Sequence, residues 1–308
     1  MMQLMKKPRV AILGASGIGR FHAREFNNSR CEIIAILGST KESSIQTAER
    51  LERDFRIKAS AYYELEILLK SETLDAVSIC TPPELHSAHV RRCLENGLNI
   101  LCEKPFVLDS KYDNYDTARD LMRIAREKGK ILTVNTQWPS VIPELGKYMD
   151  LSKIETFSMS MEPVGISGIE LLVECIPHMN SMLIKLLPCG NIKDIKFFLK
   201  SDDAIDIKFD YHTNSGICKV SYFMGNKKEK PTKISFSINN EEFSRIIGKD
   251  YRQQLVYKGN SFYIDDPLMV SIRKFVSSLS GGKCLIGEDD LLQNVRLQDI
   301  IAEKYLVH

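Results

Sequence analysis

The 308-residue chain has a single tryptophan, and no stretch of it approaches the roughly 20 uncharged apolar residues that a helix needs to cross a bilayer. A membrane-spanning helix is therefore not expected. An excess of charge of one sign is missing too. The 42 basic and 40 acidic residues leave a formal charge of +2, and the basic ones are scattered, which argues against nucleic acid as the main partner. No biased tract and no internal repeat occurs, so neither a disordered chain nor a solenoid is expected. The eight cysteines (Cys31, Cys80, Cys93, Cys102, Cys175, Cys189, Cys218 and Cys284) contain no C-x-x-C pair. Their spacing suits neither a metal site nor a disulfide framework. Buried free thiols in a reducing compartment are the expectation, with no metal and a cytoplasmic address. Lys6, Lys7 and Arg9 lead directly into a strand-like run, so no signal peptide is expected.

What is present is an ordinary globular composition, 44% hydrophobic and 27% charged, long enough for two domains. Continuous apolar runs recur in the first half: Val10 to Leu13, Ile33 to Leu37, Ala76 to Cys80, Asn99 to Cys102 and Ile131 to Val134. Such runs read as parallel strands buried on both faces. Between them lie helical periods, Ile45, Ala48, Leu51 and Phe55 in one, Ala118, Leu121, Met122 and Ala125 in another. Gly129 suits a left-handed stop to the latter. Strands alternating with helices predict a doubly wound α/β domain over residues 1–135.

The remainder, residues 136–308, has a different period. Phe157, Met159 and Met161 alternate with serines; Ile205, Ile207, Phe209 and Tyr211 alternate with Asp206, Lys208 and Asp210. Cys218 to Tyr222 and Ile234 to Ile238 repeat the pattern. Period two predicts antiparallel strands with one covered face, joined by turns at Asn214-Ser215-Gly216 and Gly259-Asn260. Helices are expected from about Gly168 to Leu187, from Asp266-Pro267 to Gly281-Gly282, and from about Glu288 to Tyr305. The result is an α+β domain with a large, mostly antiparallel sheet, whose last helices are able to pack back on the first domain.

Two turns carry chemistry. Gly14-Ala15-Ser16-Gly17-Ile18-Gly19 follows a strand and opens a helix, the context of a dinucleotide fingerprint. There the glycines admit a pyrophosphate and the helix N-terminus offers N–H groups. Ser16 stands where glycine is usual and is able to donate to phosphate. Glu103-Lys104-Pro105 ends a later strand; proline holds Lys104 extended, aimed off the carboxyl edge where ligands bind.

Taken together, Val10 to Gly14, Gly19-Arg20-Phe21-His22-Ala23, Ile79-Cys80-Thr81-Pro82-Pro83 with Leu85-His86, and Ile100 to Pro105 resemble the Gfo/Idh/MocA oxidoreductase family. That family is named for glucose–fructose oxidoreductase and inositol dehydrogenase. The resemblance implies a Rossmann domain holding NAD or NADP, a C-terminal α+β domain, sugar, inositol or related polyol substrates, and a homodimer or homotetramer built through the C-terminal sheet. It implies cofactor contacts at Gly14, Ser16, Gly17, Ile18, Gly19, Thr81, Pro82, His86, Glu103 and Lys104. The family's acid four residues before a histidine matches Glu174 and His178, a spacing that puts both on one helix face.

On that resemblance His178 is the acid/base, Lys104 the stabiliser of the reacting oxygen and Glu174 the orienter of the histidine. Gln137, Trp138, Lys104 and His178 are the expected substrate contacts, Trp138 serving either as a stacking face or as core. The chain departs from the family at three places. Glu174 replaces aspartate, Ile176 replaces glycine, and Ser181 stands where an aspartate is frequent. Pro177 should bend the helix. These departures keep open a non-catalytic NAD(P)-binding regulator, or an enzyme that oxidises and re-reduces its substrate in passing. After the second strand, Gly38-Ser39-Thr40-Lys41 lacks the acid that usually contacts the ribose 2′-hydroxyl. Ser39, Thr40 and Lys41 supply phosphate donors instead, which favours NADP, with NAD the alternative.

Overall fold

The continuous apolar runs of the first half form a parallel sheet. The computed structural model describes residues 6–108, 113–201, 203–248 and 252–307; Met1 to Met5 and His308, at the ends of the expected domains, lie outside the described residues. Two compact units emerge, residues 1–135 with 268–288, and residues 136–267 with 289–308.

In the first unit the order is β1 (Arg9–Leu13), α1 (Gly19–Asn28), β2 (Glu32–Leu37), α2 (Lys41–Phe55), β3 (Ser60–Tyr62), α3 (Leu65–Ser71), β4 (Ala76–Ile79), α4 (His86–Glu95), β5 (Asn99–Glu103), α5 (Asn114–Glu127) and β6 (Leu132–Asn135). The strands lie in the order β3-β2-β1-β4-β5-β6, all parallel. Chain direction across the sheet reverses between β1 and β4, and that switch point opens a crevice at the carboxyl ends. Both faces are covered, so Val10 to Leu13 and Ala76 to Ile79 are buried throughout. The short edge strand β3 has no apolar run and was not expected. Helix α5 starts at Asp113, whose side chain accepts from the N–H groups of Tyr115 and Asp116, and is followed by Gly129 at φ +61, the left-handed stop its sequence implies.

The second unit contains α6 (Ile142–Leu145), β7 (Thr156–Glu162), α7 (Glu170–Leu186), β8 (Gly190–Ser201), β9 (Ala204–Thr213), β10 (Gly216–Gly225), β11 (Lys233–Ile238), β12 (Glu241–Ile247), β13 (Gln253–Tyr257) and β14 (Asn260–Tyr263). Its eight strands run β14-β13-β12-β11-β7-β10-β9-β8. Every pairing is antiparallel except that of β7 with β10. The alternation works as read: Phe157, Met159 and Met161 are buried while Ser158 and Ser160 are not. Both turns close hairpins, β9 to β10 and β13 to β14. A third hairpin turn, Asn239-Asn240, has φ of 49 and 66 at its two residues, which asparagine tolerates better than most side chains. Strand β12 beyond it escaped notice because Glu241, Glu242 and Arg245 interrupt its apolar pattern.

Of the last helices, expected within residues 136–308 but able to pack back on the first domain, the one within residues 268–288 belongs to the first unit. Helix α8 (Pro267–Ser278) buries Leu268, Ile272 and Phe275 in the core of the first unit, with Phe275 edge-on to Phe26 at 5.9 Å. Burying Ile272 and Phe275 contributes about 1.5–3 kcal/mol each, enough to draw the segment back to the first unit. Helix α9 (Glu288–Leu306) belongs to the second, where Asn294 Nδ2 donates to Pro177 O at 2.8 Å and Gln293 Nε2 to Gly190 O at 2.6 Å. All eight cysteines are free thiols, five of them buried; burial pushes Cys93 up to about 12. Among the described residues no helix is long and apolar enough to cross a membrane.

Candidate active site

The glycine turn is dictated by close approach. Gly14 has φ +86, and a Cβ there would lie 2.5 Å from Cys80 O and 2.7 Å from Thr81 N. Only glycine lets β1 end so close to the turn after β4. A Cβ on Gly19 would lie 2.3 Å from Gly14 O, so the first turn of α1 rests directly on the strand end. Gly17, by contrast, has nothing within 4 Å, and Ser16, Gly17 and Ile18 are exposed. Ile18, at the N-cap of α1, offers no capping side chain, and the first turn holds no acid. An uncapped helix N-terminus with its positive dipole end facing open space fits a pyrophosphate. The cradle therefore fits a dinucleotide.

The next turn along the edge is braced from within. Thr81 is half-buried and Pro82 exposed. His86 is buried, with Nε2 2.8 Å from Thr81 O and Nδ1 2.8 Å from Pro105 O. It ties the turn after β4 to the turn after β5. Both ring nitrogens lie against these carbonyls, so the His86 side chain braces two loops at this edge of the sheet. Thr81 Oγ1 lies 3.1 Å from His89 Nδ1, and burial, then the neighbouring His86, lowers the pKa of His89.

At the end of β5, Glu103 is likewise turned inward. Its Oε1 accepts from His22 Nε2 at 2.8 Å and from Asn135 Nδ2 at 2.5 Å; its Oε2 accepts the N–H of Lys104 at 3.2 Å. Burial alone would raise the carboxyl. The hydrogen bond and charge of His22, with help from Asn135 and Lys104, hold it down at about 2. Burial alone would also discharge His22, yet Cys80 and Glu103 push it up to about 10. Lys104 itself is half-buried and joined to Pro105 by a cis peptide. His22, Ser78 and Asn135 were not singled out as site residues. Their signals were a histidine one turn into the glycine-loop helix and polar residues within otherwise apolar strands.

The turn after β2 is looser. Ser39, Thr40 and Lys41 are exposed. Thr40 caps α2, its Oγ1 accepting from Ser43 N while Ser43 Oγ accepts from Thr40 N. The Thr40 hydroxyl is thus engaged locally. Gly38 has a steric reason to lack a side chain, since a Cβ would lie 2.5 Å from Ser44 Oγ and 3.1 Å from the Ser44 backbone.

In the second unit, α7 runs through Pro177 as one helix and buries Leu171, Cys175, Ile176, Met179 and Met182. His178 is 6% exposed and Glu174 half-buried on the same helix. Ser181 Oγ donates to His178 O at 2.7 Å, so the serine standing where an aspartate is frequent serves the helix backbone. Gln137 is half-buried. Trp138 is a core residue, 2% exposed; the Arg245 guanidinium lies 5.5 Å from its ring centroid. This corrects the stacking-face alternative, because no face of the indole is open to a sugar. Asp194, Asp210 and His212 bring ligand atoms within 4.8 Å of one another on β8 and β9. This group, in which only Asp194 is exposed, has Lys193 paired opposite Asp210 and makes no case for a cation.

Residues 8–136 match a family model described as an oxidoreductase family with an NAD-binding Rossmann fold. An inositol 2-dehydrogenase of Corynebacterium glutamicum (strain R) is 33% identical over 110 residues, 35% of this chain and 31% of the relative. A scyllo-inositol 2-dehydrogenase (NADP(+)) of Bacillus subtilis (strain 168) is 29% identical over 135 residues, 42% and 36% of the two chains. The matches span about a third of the length of these curated relatives. Among solved structures, a UDP-N-acetylglucosamine 3-dehydrogenase from Acidithiobacillus ferrooxidans shares the fold over 96% of each chain, with TM-score 0.73 at 17% identity. The glycine turn and Glu103-Lys104-Pro105 both lie within the residues that match this Gfo/Idh/MocA family model.

Proposed function

We propose that the protein is an NADP-dependent oxidoreductase that transfers hydride between the nicotinamide and a sugar, inositol or related polyol, or its ketone. The observation that carries this is the carboxyl edge of the first sheet, where an open, uncapped glycine turn and the Lys104 strand end are held on one rigid edge. A bound nicotinamide supplies the hydride acceptor or donor; every other requirement falls to side chains. Lys104 supplies an ammonium to oppose the negative charge that develops on the reacting oxygen, a preorganised electrostatic effect. His178 takes or returns the hydroxyl proton, a task for which histidine titrates in the right range, and Glu174 orients it. Gln137 is kept as a substrate contact.

NADP is favoured over NAD by Lys41 and Ser39, exposed at the end of β2 with no acid before Glu42. The relative named as NADP-dependent, the scyllo-inositol enzyme, supports the same choice. We assign a second copy of the chain to the outer face of the β7–β14 sheet. Phe198 is 46% exposed there beside Lys208, Asp210 and Ser221, and light scattering should report a dimer or tetramer.

A screen of inositols, sugars and sugar acids with both cofactors, read at the nicotinamide absorbance, tests the activity. Steady reduction of NADP by at least one polyol is expected. Tight cofactor binding without turnover of any of them would favour the regulator instead. As a coupled pair, His178→Ala and Glu174→Ala should each lose activity and combine non-additively. Near-normal turnover of His178→Ala with a lowered melting temperature would make the histidine a core residue.

A further inference from the structure

Four elements of the first unit each send one polar side chain to a single buried point. His22 of α1 is fully buried. Its Nε2–H donates to Glu103 of β5, while Nδ1 lies 2.8 Å from Ser78 Oγ of β4. Asn135, ending β6, donates to the same carboxylate oxygen. Cys80 completes the surroundings, its Sγ 3.6 Å from Ser78 Oγ. The second carboxylate oxygen accepts the N–H of Lys104.

Stability alone does not call for such a cluster. Desolvating an imidazolium and a carboxylate costs as much as their attraction returns, and apolar residues of similar size are frequently as stable. The cluster sits at the carboxyl end of three adjacent strands, where the sheet meets its ligands, and it terminates on the peptide of Lys104. With both oxygens of Glu103 engaged, neither that carboxylate nor the peptide that follows it is free to swing.

We propose that His22 and Glu103 are positioning residues for Lys104: the buried ion pair, steadied by Ser78 and Asn135, fixes the Lys104 peptide and thereby where its ammonium stands. This rests on the reading of Lys104 as the group that stabilises the reacting oxygen.

The test uses the full-length protein with 15N-labelled histidine and 13C-dimethylated lysines. His22 should show the imidazolium pattern of two protonated nitrogens to at least about pH 8, where an ordinary histidine is neutral. The Lys104 methyl resonance, assigned by its loss in Lys104→Arg, should move in Glu103→Gln and in His22→Gln but not in Ser39→Ala. With NADP and myo-inositol as the probe pair, Glu103→Gln should lower kcat by about tenfold to a hundredfold, as expected of a misplaced catalytic group. Affinity for NADPH, from its fluorescence, should change less than about twofold, a split that a merely structural loss would not produce.

A neutral His22 at pH 7, or a Lys104 resonance unmoved by Glu103→Gln, overturns the proposal whether or not myo-inositol is turned over. Should Glu103→Gln fail to fold, Asn135→Ala removes one hydrogen bond from the same carboxylate and carries the same reading. Normal turnover in Lys104→Met would sink the role of Lys104 while leaving the resonance test of the pair intact, so the two failures are distinguishable.

Discussion

The ends of β5 and β2 lie on the same sheet edge and are built in opposite ways. After β5, the turn is gripped from below by Glu103, His22 and Asn135, and from the side by His86 through Pro105 O. After β2, the turn is held mainly by its own helix cap, with Ser39, Thr40 and Lys41 exposed. Bracing costs buried polar groups and yields a fixed direction for one side chain. A self-capped turn costs little and tolerates exchange. On the proposed function, the reacting-oxygen contact stands on a braced backbone, and the cofactor-selecting side chains Ser39 and Lys41 stand exposed on a turn held by its own cap.

The largest effect should come from the braced end. Lys104→Met should lower kcat by on the order of a hundredfold or more, with cofactor affinity nearly unchanged. Retained turnover with weakened cofactor binding, measured by initial rates and fluorescence titration, would reduce Lys104 to a cofactor contact and remove the contrast.

Next in size is stability against pH, which the buried pair should dominate. His22 is raised from 6.5 to about 10, so its contribution is complete below about 6.5 and is lost as pH rises through about 10. Glu103 is lowered from 4.5 to about 2, so its share is complete above 4.5 and is lost as pH falls through about 2. The melting temperature of wild type should therefore decline from pH 7 toward pH 10. In His22→Gln that alkaline decline should flatten; an unchanged slope would mean the imidazole is neutral.

At the looser end two substitutions sharpen the comparison. Gly38→Asp, which would place the usual acid after β2, should destabilise by about 1–3 kcal/mol, because its Cβ meets Ser44. Thermal melting checks this. Ser39→Asp with Lys41→Ala leaves the fold intact and should shift the NADP-to-NAD preference by about tenfold, a change of about 1.4 kcal/mol. No shift in the ratio of kcat/KM values would show that neither side chain reads the 2′-phosphate.

The same contrast explains what was legible in the sequence. Continuous runs such as Val10 to Leu13 and alternation such as Phe157 to Met161 declare strands because burial leaves a period. Gly14 and Gly19 declare a close approach because no other residue fits. Strand β3 left no signal, since three residues at a sheet edge need no apolar run. The sequence allowed the last helices to pack back on the first domain without saying which one does, because a helix stripe of Leu268, Ile272 and Phe275 says that it will be covered but not by what. Motif membership does not by itself give side-chain direction. Glu103 and His86 lie in the matching turns, yet their side chains brace the edge rather than face outward, and Trp138 is sealed in the core. A motif reports which residues must stand together, whereas side-chain direction is settled by partners far away in the chain, such as His22 for Glu103.

The claim that hydride leaves a polyol carbon and departs on free cofactor is tested most directly by isotope transfer. A polyol that the screen identifies, carrying deuterium at the oxidised carbon, is incubated with the protein and excess NADP, and the released NADPH is weighed by mass spectrometry. One deuterium per oxidised polyol on the free cofactor is the expected result. Unlabelled free cofactor, with deuterium retained in the product or on a nicotinamide that never leaves the protein, would contradict the account.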